Sequence, residues 1–149
     1  MLKIREAILD DVNGLYDLYM NHLTKSPPEK PKSIGEWSEL LEKLIADPDY
    51  HLLIGEINAQ VVSSATVIII RNLTHNLSPY ALIENVVTHE DFRNNGYASA
   101  LIESACEIAK NNNCYKIMLM TGSKKDSVLR FYEKCGFNKN DKTGFIKWI

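Results

Sequence analysis

Apolar positions change their period several times along this chain, and each change marks an element. "LKIREAI" alternates and predicts a first strand. After Asp10 and Asp11, either of which can cap a helix, Val12, Leu15, Leu18 and Tyr19 recur at helical spacing. "TKSPPEKPK" ends that helix, because proline lacks the amide that the helix needs. Ser33 with Glu36 forms a capping box for a second helix, whose apolar face is Trp37, Leu40, Leu41, Leu44 and Ile45. "YHLLIGE" and "QVVSSATVIII", joined by "INA", predict a hairpin, and "YALIENVVT" predicts a further strand after the loop "NLTHNLSP". A third helix opens at "GYASALIESACEIAK", and "CYKIMLM" follows as a strand. Val128, Phe131, Tyr132 and Cys135 then share a helical face that Gly136 terminates, and "FNKNDKTGFIKWI" closes the chain as one or two more strands.

The predicted order is β-α-α-β-β-β-α-β-α-β. It implies an α/β (α+β mixed) architecture, with a central, mixed, mostly antiparallel sheet of about six or seven strands flanked by about four helices. With 149 residues and no linker or internal repeat, residues 1–149 are expected to form one domain. A net charge of −2 argues against a general nucleic-acid binder, and the apolar run "SATVIII" is far too short to cross a bilayer. The three cysteines, Cys106, Cys114 and Cys135, do not make a disulfide framework, so a reducing cytoplasm is expected. The four histidines, His22, His51, His75 and His89, have no metal-ligand spacing, and no metal is expected.

Candidate chemistry concentrates where the third helix begins. Arg93, Asn94, Asn95 and Gly96 stand flush against its first turn, where one capping side chain would suffice. The first amides of a helix lack intrahelical partners and carry the positive end of its dipole, so this turn can hold a phosphate. The plain alternative is an ordinary polar turn. Glu84 interrupts the apolar run "ALIENVV", and a carboxylate in a central strand needs a partner or a task. It is a general-base candidate, set against an equally weighted reading as a solvated or Lys-paired side chain.

"VVTHEDFRNNGYASALIESA" resembles the acetyl-CoA signature of the GNAT (Gcn5-related) N-acetyltransferase superfamily, with Arg93-Asn94-Asn95-Gly96-Tyr97-Ala98 filling its R/Q-x-x-G-x-G/A turn. "CYKIMLMTGSKKDSVLRFYEKCGF" is similar to that family's following strand and FYEKxGF helix, and "REAILDDVNGLYDL" to its opening strand and helix. Asn94, where many relatives have Gly, and Lys125 or Asp126, where many have Asn, depart from the pattern.

The resemblance implies a GNAT fold that binds acetyl-CoA as cosubstrate. The pyrophosphate would lie on the amides of Asn95 to Ser99, the pantetheine arm along Val86, Val87 and Thr88, and further contacts would come from Ser127 and Phe131. It also implies that the Val87 amide faces the developing oxyanion and that Tyr132 protonates the departing sulfur, although Tyr132 also suits a place in the core stripe. The implied acceptor is a small-molecule primary amine, attacked directly without a covalent acyl-enzyme. Residues 25–36 and 72–80, His75 included, are expected to wall its pocket. "CYKI" and "FYEKCGF" are similar to the end of glucosamine-6-phosphate N-acetyltransferases, so an amino-sugar phosphate is the alternative acceptor, with a protein or peptide amine behind it. The competing class is a non-catalytic acyl-CoA sensor. By analogy with relatives, "GFIKWI" suits a homodimer interface.

Overall fold

A computed structural model describes residues 1–149. Five strands lie side by side in chain order: β1 (Lys3–Glu6), β2 (Tyr50–Ile57), β3 (Gln60–Ile70), β4 (Tyr80–Thr88) and β5 (Ile117–Leu119). Neighbours are antiparallel except β4 and β5, which pair in parallel. The parallel pair is the one expected from the late β-α-β unit. The helices are α1 (Val12–Leu18), which continues as a π-helical turn over Tyr19–Leu23, α2 (Ile34–Ala46), α4 (Tyr97–Asn111) and α5 (Asp126–Lys134). Between β3 and β4 lies α3 (Thr74–Leu77), a single turn in which His75 and Asn76 take left-handed backbone angles.

Both faces of the sheet are covered, because the strands carry apolar residues on both. Leu53, Ala65, Val67, Ile69, Ala81 and Ile83 pack against Leu101, Ile102, Ala105 and Ala109 of α4, with Phe131 and Tyr132 of α5 at the edge. On the other face, Leu52 and Ile54 pack with Val12 and Leu15 of α1 and Leu41 of α2. The capping box forms as expected: the Glu36 amide donates to Ser33 Oγ at 3.2 Å, and the Ser33 amide donates to Glu36 Oε2 at 2.9 Å.

The expected count of six or seven strands is not met, since the sheet has five. Residues 137–149 form no strand, and Phe145, Ile146, Trp148 and Ile149 are exposed by 62–114%. The composition suits a strand, and a Cβ built on Gly144 would meet Met120 Sδ at 3.1 Å, so the segment passes close to the end of β5, but no ladder forms between them.

Asp11 behaves differently from a plain cap. Its carboxylate makes no cap bond to α1; it accepts from Arg5 Nη1 and Nη2 at 2.7 and 2.8 Å and from the Ile8 amide at 2.8 Å. Arg5 also donates to Glu56 Oε2, which ties β1, β2 and the start of α1 together. Burial pushes the Asp11 carboxyl up, but Arg5 and the Ile8 amide outweigh it and hold the pKa below the ordinary 3.8. A carboxyl depressed by folding contributes stability above its unfolded pKa and loses it as pH falls through the folded value. Asp11→Asn is therefore expected to cost roughly 2 kcal/mol at pH 7, from charge-assisted bonds lost. The difference from the parent protein should begin to shrink below about pH 4, where the unfolded chain takes up the proton, and vanish only as pH falls through the lower folded pKa. Urea melts at pH 7 and pH 3 check both parts.

Candidate active site

The site forms where β4 leaves its neighbours. Pairing with β5 runs Ala81–Ile117, Leu82–Met118, Ile83–Leu119 and then stops. On the other side, Thr66 faces Glu84 and Ser64 faces Val87, so two residues, Asn85 and Val86, stand opposite Ala65 alone. This is a β-bulge, and Asn85 takes a left-handed φ of 53° to make it. Asparagine is among the few side chains that adopt this conformation readily. The bulge turns β4 away from β5 and opens a cavity of about 230 Å³ between Ile83, Glu84, Asn85 and Val86 on one strand and Leu119, Met120, Thr121 and Gly122 on the other. Leu23 and Tyr132 complete its lining.

Glu84 and Tyr132 reach this cavity from opposite faces of the sheet. Residues directly opposite in an antiparallel pair share a face, so Glu84 lies on the face of Thr66 and Ser64. That face is covered by the π-helical turn that continues α1, since the Tyr19 hydroxyl bonds Ser64 Oγ at 3.0 Å. Glu84 is half-buried, and its carboxylate bonds no protein group. Tyr132 comes from the α4 side, where it stands edge-on to Phe131 at 5.0 Å and to Phe137 at 6.5 Å. Burial pushes its phenol above the ordinary value of 10.0, with nearby Cys135 adding to the rise. Tyr132 therefore stays protonated across the neutral range.

The turn before α4 is built largely from main-chain geometry. Gly96 is the N-cap residue with φ 78°, and no side chain caps the helix. Asn94 is also left-handed at φ 63°. Asn95 turns back, its Nδ2 donating to the carbonyls of Phe92 and Arg93 at 3.1 and 3.0 Å. The amides of Tyr97, Ala98 and Ser99 thus head a 15-residue helix with no protein group over them. A Cβ built on Gly96 would meet no heavy atom within 4 Å, so the space above the turn is open. Arg93 donates its Nε to the Thr88 carbonyl at 3.2 Å, which leaves its terminal nitrogens free beside the turn. Val86 packs on the α4 side, Val87 is buried at 5% exposure, and Thr88 holds a buried hydroxyl without a partner. Ser127 is exposed in the first turn of α5, and Phe131 packs against the core. The cysteines are free, and burial raises all three thiols, so they are poor nucleophiles at neutral pH.

Residues 72–80 do not wall this cavity. They lie at the start of β4, and Glu84 follows four residues into the strand, roughly 13 Å further along. His75 instead stacks on Tyr115 at 3.9 Å. Lining from the first helical region comes from Leu23, carried there by the π-helical turn.

A second grouping escaped the sequence because its members are far apart in the chain. The rings of His22 and His89 lie 3.9 Å apart, and with Asp17 they bring three ligand-type atoms within 4.8 Å of one another. Each ring already accepts a backbone amide at Nδ1, from Glu90 at 3.4 Å and Asp91 at 3.2 Å. The neutral rings therefore carry their protons on Nε2 and present donors, the opposite of what a metal ligand offers.

A family model described as "Acetyltransferase (GNAT) family" matches residues 12–137. The chain belongs to the GNAT acetyltransferase family and is an N-acetyltransferase. Its relatives include the glucosamine 6-phosphate N-acetyltransferase of Trypanosoma brucei brucei, 28% identical over 95% of this chain and 92% of that protein. Among solved structures, "Putative acetyltransferase from Agrobacterium tumefaciens str. C58" is 38% identical with a TM-score of 0.88, covering 98% of this chain and 99% of that one. The glucosamine-6-phosphate N-acetyltransferase of Arabidopsis thaliana superposes with a TM-score of 0.85 over 99% of this chain and 98% of that one. At 22% identity this last match is a likeness of fold alone. GNAT acetyltransferases use acetyl-CoA as cosubstrate.

Proposed function

We propose that residues 1–149 act as one catalytic domain that moves the acetyl group of acetyl-CoA to the primary amine of a small molecule, by direct attack within a ternary complex in the cytoplasm. The observation that carries this reading is the uncapped first turn of α4 beside the parting of β4 and β5. Amides without a cap suit the pyrophosphate, and Arg93 can add a charge-assisted bond. In this reading Asn94, Asn95, Gly96, Tyr97, Ala98 and Ser99 form the cradle. Val86 and Thr88 bond the pantetheine arm through their outward-facing main chain, Val87 between them being turned to β3, and Ser127 and Phe131 contact the coenzyme from α5. The Val87 amide, expected to face the oxyanion, points instead into the β3 ladder opposite Ser64. The neighbouring Val86 amide takes that role, while Glu84 takes the proton from the amine and Tyr132 supplies one to the sulfur.

Gly96→Val tests the cradle. A β-branched residue at φ 78° is strained by about 1–3 kcal/mol, and relief of that strain by shifting the turn should weaken coenzyme A binding by about fivefold or more in a calorimetric titration. Undiminished binding would remove the α4 turn from the proposal. Thiol release from acetyl-CoA, measured against amino sugars, polyamines, amino acids and peptides, then tests the reaction. Release with none of these, despite tight coenzyme binding, would favour an acyl-CoA sensor.

An amino-sugar phosphate heads that panel, because the Trypanosoma relative named for glucosamine 6-phosphate aligns along 95% of the chain. A homodimer is supported by the terminal segment, where Phe145 and Trp148 are 91% and 89% exposed. Sedimentation of the full chain and of a chain ending at Asp141 should give a dimer and a monomer respectively.

A further inference from the structure

The cavity between β4 and β5 has an uneven set of polar groups. Ten residues line it, and Glu84 is the only acidic or basic side chain among them; no lysine, arginine or histidine faces it. The other polar side chains are Asn85, Thr121 and Tyr132. Thr121 Oγ1 already accepts from the Ser123 amide at 3.2 Å, within the turn that follows β5. Glu84 and Tyr132 have tasks in the reaction proposed above. Asn85 is exposed, and no protein group bonds its carboxamide, so it is the polar group left without a task.

The backbone accounts for only part of this choice of residue. A φ of 53° at the bulge is open to Gly, Asn and Asp. Gly would make the bulge with the least strain and leave no side chain in the cavity. Asp would set a second carboxylate beside Glu84, and two like charges in one site oppose each other's ionisation. Asn brings a donor and an acceptor without a charge. Glu84 and Asn85 are consecutive residues lining one cavity, so an amine held at Glu84 carries its nearest substituent to Asn85.

We infer that Asn85 sets acceptor specificity: its carboxamide bonds a hydroxyl on the carbon next to the one bearing the amine, so the reacting end of the acceptor is a vicinal amino alcohol. This rests on the reading of the cavity as the acceptor's site with Glu84 at the amine. A phosphate or carboxylate in the place of that hydroxyl is rejected, because it would face Glu84 with no cation to offset the repulsion. An amino sugar has the required pairing, since hydroxyls flank its amine, and a phosphate carried by that sugar lies outside this cavity.

The test uses matched amines on the protein saturated with coenzyme A, so that calorimetry reads binding without turnover. The pair trans-2-aminocyclohexanol and cyclohexylamine differs by one hydroxyl; the pair ethanolamine and O-phosphoethanolamine differs by one phosphate. The parent protein is expected to bind the cyclic amino alcohol about fivefold to tenfold more tightly than cyclohexylamine, the worth of one neutral hydrogen bond. It should bind ethanolamine at least about tenfold more tightly than O-phosphoethanolamine. Asn85→Gly keeps the positive φ and should bring the first ratio to about one without moving the second. Asn85→Asp also suits that backbone, still accepts from a hydroxyl, and should keep the first ratio and widen the second. An Asn85 that served the bulge alone would leave the first ratio unmoved by Asn85→Gly. That result, tighter binding of O-phosphoethanolamine, or no binding of either amino alcohol overturns the inference. Thiol release from acetyl-CoA with the same amines separates the two readings. Amines that bind with the expected ratios and are never acetylated sink the catalytic proposal and uphold the role of Asn85. Acetylation with a first ratio that survives Asn85→Gly does the reverse.

Discussion

Tyr132→Phe should lower the turnover number by at least about 100-fold while leaving the dissociation constant for acetyl-CoA within about twofold. The change removes one oxygen and keeps the ring. The edge-on packing with Phe131 and Phe137 therefore survives, and so does the lining of the cavity. The mechanism loses the proton for the departing sulfur. A thiolate is a tolerable leaving group at neutral pH, which sets the loss nearer two orders of magnitude than four. Because burial raises the phenol above 10.0, the parent protein should show no loss of acid function between pH 6 and 9. Stopped-flow thiol release together with calorimetric binding decides it. A kcat within threefold of the parent value would strike Tyr132 from the mechanism.

Glu84→Gln is expected to have an effect of similar size but a different dependence on pH. The amide has nearly the same shape and cannot take a proton, so kcat/KM should fall by roughly 100-fold to 1,000-fold near neutrality. The deficit should narrow as pH rises toward the acceptor's own pKa, because a growing share of the amine is already neutral. A constant deficit across that range would mean that Glu84 positions the acceptor without deprotonating it. Steady-state rates from pH 6 to 10 with one confirmed acceptor separate the two.

Local signals in the sequence carried much of this architecture. The capping pair Ser33 and Glu36, the strand Tyr80–Thr88 and the stop at Gly136 each depend on neighbours a few residues away, and each was readable. The uncapped turn at Gly96 was readable for the same reason. Features that depend on distant partners were not. The terminal "GFIKWI" has a strand's composition, but no strand forms, because pairing needs an edge that composition does not describe. His22 meets His89 only through the fold. Residues 72–80 seemed free to wall the acceptor pocket until the direction of β4 put them at its other end. The bulge lies between these cases. Asn85, a poor strand former that tolerates positive φ, sits in the middle of an apolar strand and was a usable signal.

The seam between β4 and β5 has three residue pairs, the last of them Ile83–Leu119. Beyond that point no ladder dictates how far apart the two chains run. Met120, Thr121 and Gly122 can therefore be exchanged for larger or more polar residues without unzipping the sheet, and the width of the mouth will follow their bulk. Selection for a new amine would find its cheapest route there, and a saturation library confined to those positions is the natural starting point for redirecting the enzyme.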